Sequence, residues 1–166
     1  PTPYCVLERL ANAGYIRKGN TVIDYGCGKG RVDFFLSYQT RCHSIGVEYD
    51  ERVFERALEN KADSAASGRV DFVQANAETF EVPENVDRCY FFNPFSPEIF
   101  HAVINRILDS FEKYPRTITL ILYYPEDDTV FYLERHTTFE RMDEIAASDA
   151  VYKDRRERFC LYRITV

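Results

Sequence analysis

The sequence lacks long apolar runs and any regular arrangement of cysteines. No stretch approaches the ~18 apolar residues of a membrane-spanning helix, and no basic segment followed by an apolar one marks a signal peptide. The five cysteines are odd in number and form no C-x-x-C pair, so neither a disulfide framework nor a thiolate zinc site is indicated. We therefore predict a cytoplasmic protein with no membrane span and no metal site.

Positive charge is also scarce. Lys and Arg total 21 against 27 Asp and Glu, a formal net charge of -6. Because proteins that grip long nucleic acids usually carry a cationic face, this balance favours a small or basic partner over extended RNA or DNA. It leaves the oligomeric state open.

Repeats, low-complexity tracts and flexible linkers are missing as well. The 166 residues therefore predict one domain, residues 1–166, with enough length for a full hydrophobic core. Since the chain begins with Pro1 and not with methionine, we expect it to lie within a longer product.

Short apolar segments of strand type alternate with segments of helical spacing. Five strands are predicted, at Thr21–Tyr25, Ser44–Glu48, Val70–Gln74, Arg88–Phe92 and Thr117–Tyr124. The clearest helix follows the fourth strand, where Ser96 is the predicted cap and Pro97 the first helical residue. Strands separated by helices predict an α/β fold around a parallel sheet.

The last third of the chain has a different pattern. Thr138–Ile145 and Arg158–Val166 are predicted strands with no convincing helix between them. They are expected to form an antiparallel hairpin at the sheet edge, which completes a seven-strand sheet. The charged segment Lys153–Arg158 is expected to face solvent.

A glycine-rich turn follows the first predicted strand. Residues 22–32 read Val-Ile-Asp-Tyr-Gly-Cys-Gly-Lys-Gly-Arg-Val. Glycines at 26, 28 and 30 allow backbone angles closed to other residues and let a ligand lie against bare peptide. The next helix presents free N–H groups and its positive end to that ligand. The alternative is a purely structural turn.

Polar residues end the next two strands. Glu48 lies about 20 residues beyond the glycines, where nucleotide-binding folds of this layout use a carboxylate to accept both ribose hydroxyls. Asn76 can hydrogen-bond the edge of an adenine, and Tyr49 offers a ring face beside it. Asp50 is the predicted cap of the following helix. The alternatives are a capping or solvated acid for Glu48 and a turn former for Asn76.

With these features the sequence resembles the class I S-adenosylmethionine (SAM) dependent methyltransferases. The resemblance rests on Val22–Gly30, Glu48, Asn76-Ala77 and Phe91–Phe95, and it covers nearly the whole chain. It implies a three-layer Rossmann-like sandwich with five parallel strands and a terminal antiparallel hairpin. It also implies SAM as cofactor and S-adenosylhomocysteine (SAH) as product.

The resemblance further implies a set of cofactor-binding residues. The methionine part of SAM would lie over the turn, with Asp24 near its amino group, and Glu48 would bind the ribose. The adenine would lie between Tyr49 and Asn76-Ala77. The turn residues implied are Gly26, Cys27, Gly28 and Gly30.

Asn93-Pro94-Phe95 resembles the Asn-Pro-Pro-Tyr/Phe motif of amino methyltransferases. In that motif the Asn side chain and the next carbonyl accept hydrogen bonds from the target NH2, and the aromatic ring stacks on the acceptor. It implies Asn93, Pro94 and Phe95 as catalytic residues, with Asn93 also near SAM, and a nitrogen acceptor in an amine, protein side chain or nucleobase. The segment departs from the motif, since Phe95 occupies the place of the second proline.

The N-terminal Thr2-Pro3-Tyr4 is similar to an element that precedes the first helix in several N6-adenine methylases. It implies Thr2 and Tyr4 near the SAM carboxylate.

Three alternative functions differ from methyl transfer. NAD binding uses G-x-G-x-x-G, and here Arg31 stands where the last glycine would fall. A non-catalytic regulatory module that binds SAM or a nucleoside, and an aminopropyl transferase that uses a decarboxylated cofactor, both remain open. In the loop after the fifth strand, Tyr123–Asp128 carries two tyrosines and three acids, which favours a cationic or aromatic acceptor. The alternative for that loop is a solvated acidic turn with its tyrosines packed inward.

Overall fold

The computed structural model describes residues 1–92 and 95–166. Its elements are α1 (Tyr4–Asn12), β1 (Thr21–Tyr25), α2 (Arg31–Thr40), β2 (His43–Glu48), α3 (Glu51–Ala62), β3 (Val70–Gln74), β4 (Arg88–Phe92), α4 (Pro97–Lys113), β5 (Ile118–Tyr123), α5 (Asp127–His136), β6 (Glu140–Ala146) and β7 (Arg158–Ile164). Short 3₁₀ turns lie at Ser67–Arg69 and Asp149–Tyr152. Within the described residues, the strands form one seven-stranded sheet in the order β3-β2-β1-β4-β5-β7-β6.

The chain divides into two compact units, and the first is Pro1–Ala77. In it β2 pairs in parallel with both β1 and β3. Every residue of β1 is buried, as expected of an apolar strand inside a parallel sheet. The predicted cap of α3 is confirmed, since the Asp50 side chain accepts hydrogen bonds from the N–H groups of Arg52 and Val53 at 2.9 and 3.1 Å.

The second unit is Glu78–Val166. In it β4 and β5 are parallel, β7 runs antiparallel to β5, and β6 runs antiparallel to β7. The helix α4 begins as predicted, with Pro97 first and Ser96 as its cap. It buries one apolar face through Phe100, Val103, Ile104 and Ile107.

The fold class predicted from the sequence is confirmed. The bounds of β1, β3 and β4 match the prediction, and the other four strands differ from it by one to two residues at one or both ends. Helix α5 was not predicted, because Leu133 is its only buried residue and its apolar periodicity is weak. The single-domain assignment stays a prediction. Within the described part of the chain, every helix is too short or too polar to cross a membrane.

The expectation that Lys153–Arg158 faces solvent is wrong at Arg158. This residue opens β7 and is only 6% exposed. Its guanidinium donates to Glu144 Oε1 at 2.8 Å, so an ion pair with β6 offsets the cost of burying the charge.

Candidate functional site

The glycine turn between β1 and α2 uses two of its glycines for different reasons. Gly28 and Gly30 both have positive φ, at +58° and +95°. A Cβ added at Gly30 would lie 2.6 Å from Phe72 Cζ, so this glycine is needed for close packing. A Cβ added at Gly28 would meet no atom within 4 Å, so open space lies over this part of the turn. The cradle predicted from the glycines is therefore not filled by described protein atoms at Gly28.

The turn is fixed to β2 and contacts the predicted carboxylate. The N–H groups of Gly26 and Cys27 donate to the Val47 carbonyl at 2.9 and 3.1 Å. Gly28 N–H donates to Glu48 Oε1 at 2.9 Å, and Asp50 N–H donates to Glu48 Oε2 at 3.0 Å. A carboxylate has about four lone-pair sites, so Glu48 keeps acceptor capacity after these two bonds. The sequence spacing thus brings Glu48 and the turn together.

An open cavity lies beside Glu48, at the end of β2. Its volume is about 560 Å³, and it is lined by Tyr49, Asp50, Glu51, Arg52 and Gln74. The Tyr49 ring is 73% exposed and is free to stack on a planar ligand. Asn76 and Ala77 follow Gln74 in the chain and are not among the lining residues. Gln74, not singled out from the sequence, is the amide side chain that lines this cavity with Tyr49.

The N-terminal element lies against the start of α2 through Arg31. The Arg31 guanidinium lies 4.5 Å from the centre of the Tyr4 ring, and its Nη1 donates to the Thr2 carbonyl at 3.4 Å. Thr2 is buried, while Tyr4 is exposed. Sequence reasoning noted Arg31 only as the residue that replaces a glycine, and its contacts with Thr2 and Tyr4 were missed.

Two buried carboxyl groups lie below the turn. Asp24 is 3% exposed and Asp33 is fully buried, and their side chains are hydrogen-bonded to each other. Burial and the neighbouring Asp33 charge raise the pKa of Asp24 well above its usual range. Burial likewise raises the pKa of Asp33 to about 6, although hydrogen bonds from Asp24 and Ser44 favour its charged form.

Asp24 is therefore not a solvent-facing carboxylate in this structure. Sequence reasoning missed its partner Asp33. The available signal was an acid on the buried face of α2, together with Val32, Leu36 and Ser37.

Cys27 is not suited to nucleophilic chemistry. The residue is buried, and burial together with the charges of Asp33 and Asp24 raises the pKa of its thiol. Gly46 lies close by, since a Cβ there would be 2.8 Å from Cys27 Sγ. Within residues 1–92 and 95–166, His, Cys, Asp and Glu side chains form no group of three able to hold a metal ion.

The second unit holds the predicted acceptor end. Asn93 and Pro94 lie outside the described residues. Phe95 is half-buried and borders a small cavity at the carboxyl ends of β4 and β5, with a lining completed by Phe91, Phe100, Leu122, Tyr123, Pro125 and Thr129. The walls of this cavity are mostly aromatic and apolar.

The tyrosines of the following loop bind acids of the β6–β7 connection. Tyr123 is buried and its hydroxyl donates to Glu157 Oε1 at 2.7 Å. The Tyr124 hydroxyl donates to Asp154 Oδ2. The Arg156 guanidinium lies 5.1 Å from the centre of the Tyr124 ring. The reading with tyrosines packed inward therefore describes Tyr123, and the loop is held in place by its own acids.

Taken together, the first unit offers what an adenosyl group requires. The bare turn at Gly28 leaves room for a ligand chain, Glu48 has lone pairs left for hydroxyls, and Tyr49 exposes a ring beside a cavity.

Comparison with known proteins gives the family. Residues 16–162 match the family described as a methyltransferase domain. A protein-lysine N-methyltransferase of Saccharolobus islandicus is 27% identical over 85 residues, 51% of this chain and 53% of that protein. A tRNA1(Val) (adenine(37)-N6)-methyltransferase of Mannheimia succiniciproducens is 34% identical over 65 residues, 38% of this chain and 27% of that protein. The chain thus spans about half or less of the length of these relatives.

A solved structure agrees with the fold. An RNA methyltransferase from Salinibacter ruber, solved in complex with SAH, superposes with a TM-score of 0.70 at 17% identity, over 100% of this chain and 93% of that one. At this identity the likeness shows the fold. Because the family match covers well over half of the chain, this chain belongs to the methyltransferase domain family, and its predicted identity as a Rossmann-like SAM-dependent methyltransferase domain is confirmed.

Proposed function

We propose that this protein transfers the methyl group of SAM to a nitrogen atom of its acceptor and releases SAH. The observation that carries the proposal is the hydrogen bond, 2.9 Å long, between Gly28 N–H and the Glu48 carboxylate beside an open stretch of the turn. It joins the two features that an adenosyl cofactor needs, a bare backbone and an acceptor for hydroxyls. In this proposal Glu48 binds the ribose, the turn lies under the methionine part, and Tyr49 stacks on the adenine.

The chemistry asks little of the protein beyond positioning. The bound cofactor supplies an activated methyl group as its own electrophile. The chain's residues hold the acceptor nitrogen in line with the methyl group and the sulfur, and such orientation can contribute several kcal/mol to the barrier reduction. An amine loses its proton after transfer, so a nitrogen acceptor needs no general base.

A nitrogen acceptor is favoured by two observations. The Asn93-Pro94-Phe95 segment resembles the motif with which amino methyltransferases accept hydrogen bonds from a target NH2. Both curated relatives described above are named for transfer to nitrogen, one on lysine and one on adenine N6. The aromatic walls beside Phe95 suit the apolar part of an amine or the plane of a nucleobase.

The partner and the compartment follow from composition. The net charge of -6 favours a small or basic acceptor over an extended nucleic acid. The five cysteines are all free, which suits a reducing cytoplasm, where we place the protein.

The test is an acceptor screen with methyl-labelled SAM over basic peptides, adenosine, tRNA and small amines. We expect label on nitrogen of one acceptor class together with stoichiometric SAH. Asn93→Ala should lower transfer about 100-fold or more while changing SAM affinity far less, as expected for a group that orients the reacting atom. The matched control is Asn105→Ala, on the exposed side of α4, which should transfer normally.

Two outcomes would contradict the proposal. Tight SAM binding without transfer to any acceptor would favour the non-catalytic binding module. Failure to bind either SAM or SAH would contradict both that alternative and the proposed enzyme.

A further inference from the structure

The first unit contains a pair of buried acids that methyl transfer by positioning does not require. Asp24 ends β1 side by side with the glycine turn, and Asp33 lies in the first turn of α2. Both side chains are almost completely buried. Two carboxyl groups in contact inside a protein are costly unless something neutralises one of them.

The hydrogen bonds of the pair require a proton. Asp33 Oδ1 accepts from the Ser44 hydroxyl at 2.6 Å. The Oδ2 atoms of Asp24 and Asp33 accept from no N–H or O–H donor of the described residues, and the two carboxyls bond to each other instead. Two ionised carboxylates cannot bond to each other, because neither has a hydrogen to donate. One proton must therefore lie between Asp24 and Asp33.

The surroundings favour keeping this proton. The groups that act most strongly on Asp24 are Asp33 on α2 and Glu48 on β2, and both are acidic. The thiols of Cys27 in the turn and Cys42 before β2 also lie near Asp33, and burial keeps both neutral by raising their pKa values. The pair thus lies in an electrically negative, desolvated environment, where a second ionisation is unfavourable.

We infer that Asp24 and Asp33 share one proton in the free protein and release it when the cationic methionine end of SAM binds above them. The inference rests on the proposed function, since SAM supplies the cation. SAM brings an ammonium and a sulfonium group, and a positive charge near Asp24 favours the ionised form of the pair. The proton leaves to solvent, and the second carboxylate charge is balanced by the ligand. Asp33 is then a positioning residue that sets the charge of Asp24.

The experiment is a calorimetric titration of SAM into the protein at pH 7, in two buffers that differ in their enthalpy of ionisation. The difference in observed heat gives the number of protons released. We expect between about 0.5 and 1 proton for the wild type. Proton release makes affinity rise with pH, by at most about tenfold for each pH unit between pH 6 and 7.5.

Asp33→Asn is the variant that separates charge from structure. Its amide oxygen still accepts from Ser44, and its amide NH2 donates to Asp24, which then ionises without a shared proton. We expect proton release near zero and a flatter dependence of affinity on pH. The ligand's own amine, with an ordinary pKa of about 7.7–8.0, contributes equally to both proteins. The control is Asp71→Asn on β3, an exposed acid paired with Lys61, which should behave as the wild type.

Each result bears on the inference by itself. No proton release by the wild type, or equal release by the wild type and Asp33→Asn, overturns it even when SAM binds. If SAM does not bind, the proposed function fails, and the pair is tested without ligand by following the carboxyl carbons of Asp24 and Asp33 by NMR. A single proton retained at pH 7 supports the shared pair, whereas both carboxyls titrating near pH 4 overturns it.

Discussion

The buried acid pair predicts an unusual dependence of stability on pH. The folded-state pKa of Asp33 is about 6, against an ordinary value of 3.8. Between these two values the folded protein holds a proton that the unfolded chain has lost, so the free energy of unfolding falls as pH rises through this window. A difference of about two pH units at about 1.4 kcal/mol each gives a loss of about 3 kcal/mol. Asp24 acts in the same direction, because its pKa is also raised.

Asp33→Asn removes this loss while keeping the shape of the side chain. We therefore expect its stability relative to the wild type to increase by about 3 kcal/mol between pH 4 and pH 7. Urea unfolding followed by circular dichroism at four pH values measures it, with Asp71→Asn as the control for removal of an exposed acid. Curves for Asp33→Asn and the wild type that stay parallel across this range would refute the reasoning.

Two further predictions concern glycine packing and a buried guanidinium. Gly30→Ala should destabilise the fold by about 2 kcal/mol or more in urea unfolding, because its Cβ would lie 2.6 Å from Phe72 at a φ of +95°. Gly28→Ala should cost only about 1 to 2 kcal/mol, for its φ alone, and equal losses would contradict this difference. Arg116→Ala should cost roughly 2 to 4 kcal/mol, since the guanidinium donates to four carbonyls and a hydroxyl. Arg106→Ala, which removes an exposed ion pair with its own helix, is the control, and a similar loss in both would show that the bonds of Arg116 contribute little.

The fold could be predicted from the sequence wherever burial is written into local pattern. Strand β1 is apolar over nearly its whole length, and α4 carries a regular apolar face, so both were located closely. Helix α5 escaped because a helix with one buried residue has almost no periodic signal. Arg158 escaped because its burial depends on Glu144, a partner on another strand.

The candidate site divides in the same way. The contact of Glu48 with the turn follows from where parallel strands end, and sequence spacing predicts it. Pairing of Asp33 with Asp24 depends on how α2 packs on β1 and β2, which no local pattern records. Gln74 replaces Asn76 at the cavity because the turn after β3 carries Asn76 away from the lining.

The claim on which the account depends is that the turn and Glu48 together hold the adenosyl part of SAM. The most direct measurement is the Kd for SAM by calorimetry, for the wild type, for Glu48→Ala and for Glu51→Ala as an exposed neighbouring control. Loss of charged hydrogen bonds of roughly 1.5 to 3 kcal/mol predicts affinity about 10 to 100 times weaker for Glu48→Ala, with Glu51→Ala unchanged. Unchanged affinity in a folded Glu48→Ala protein would contradict the account.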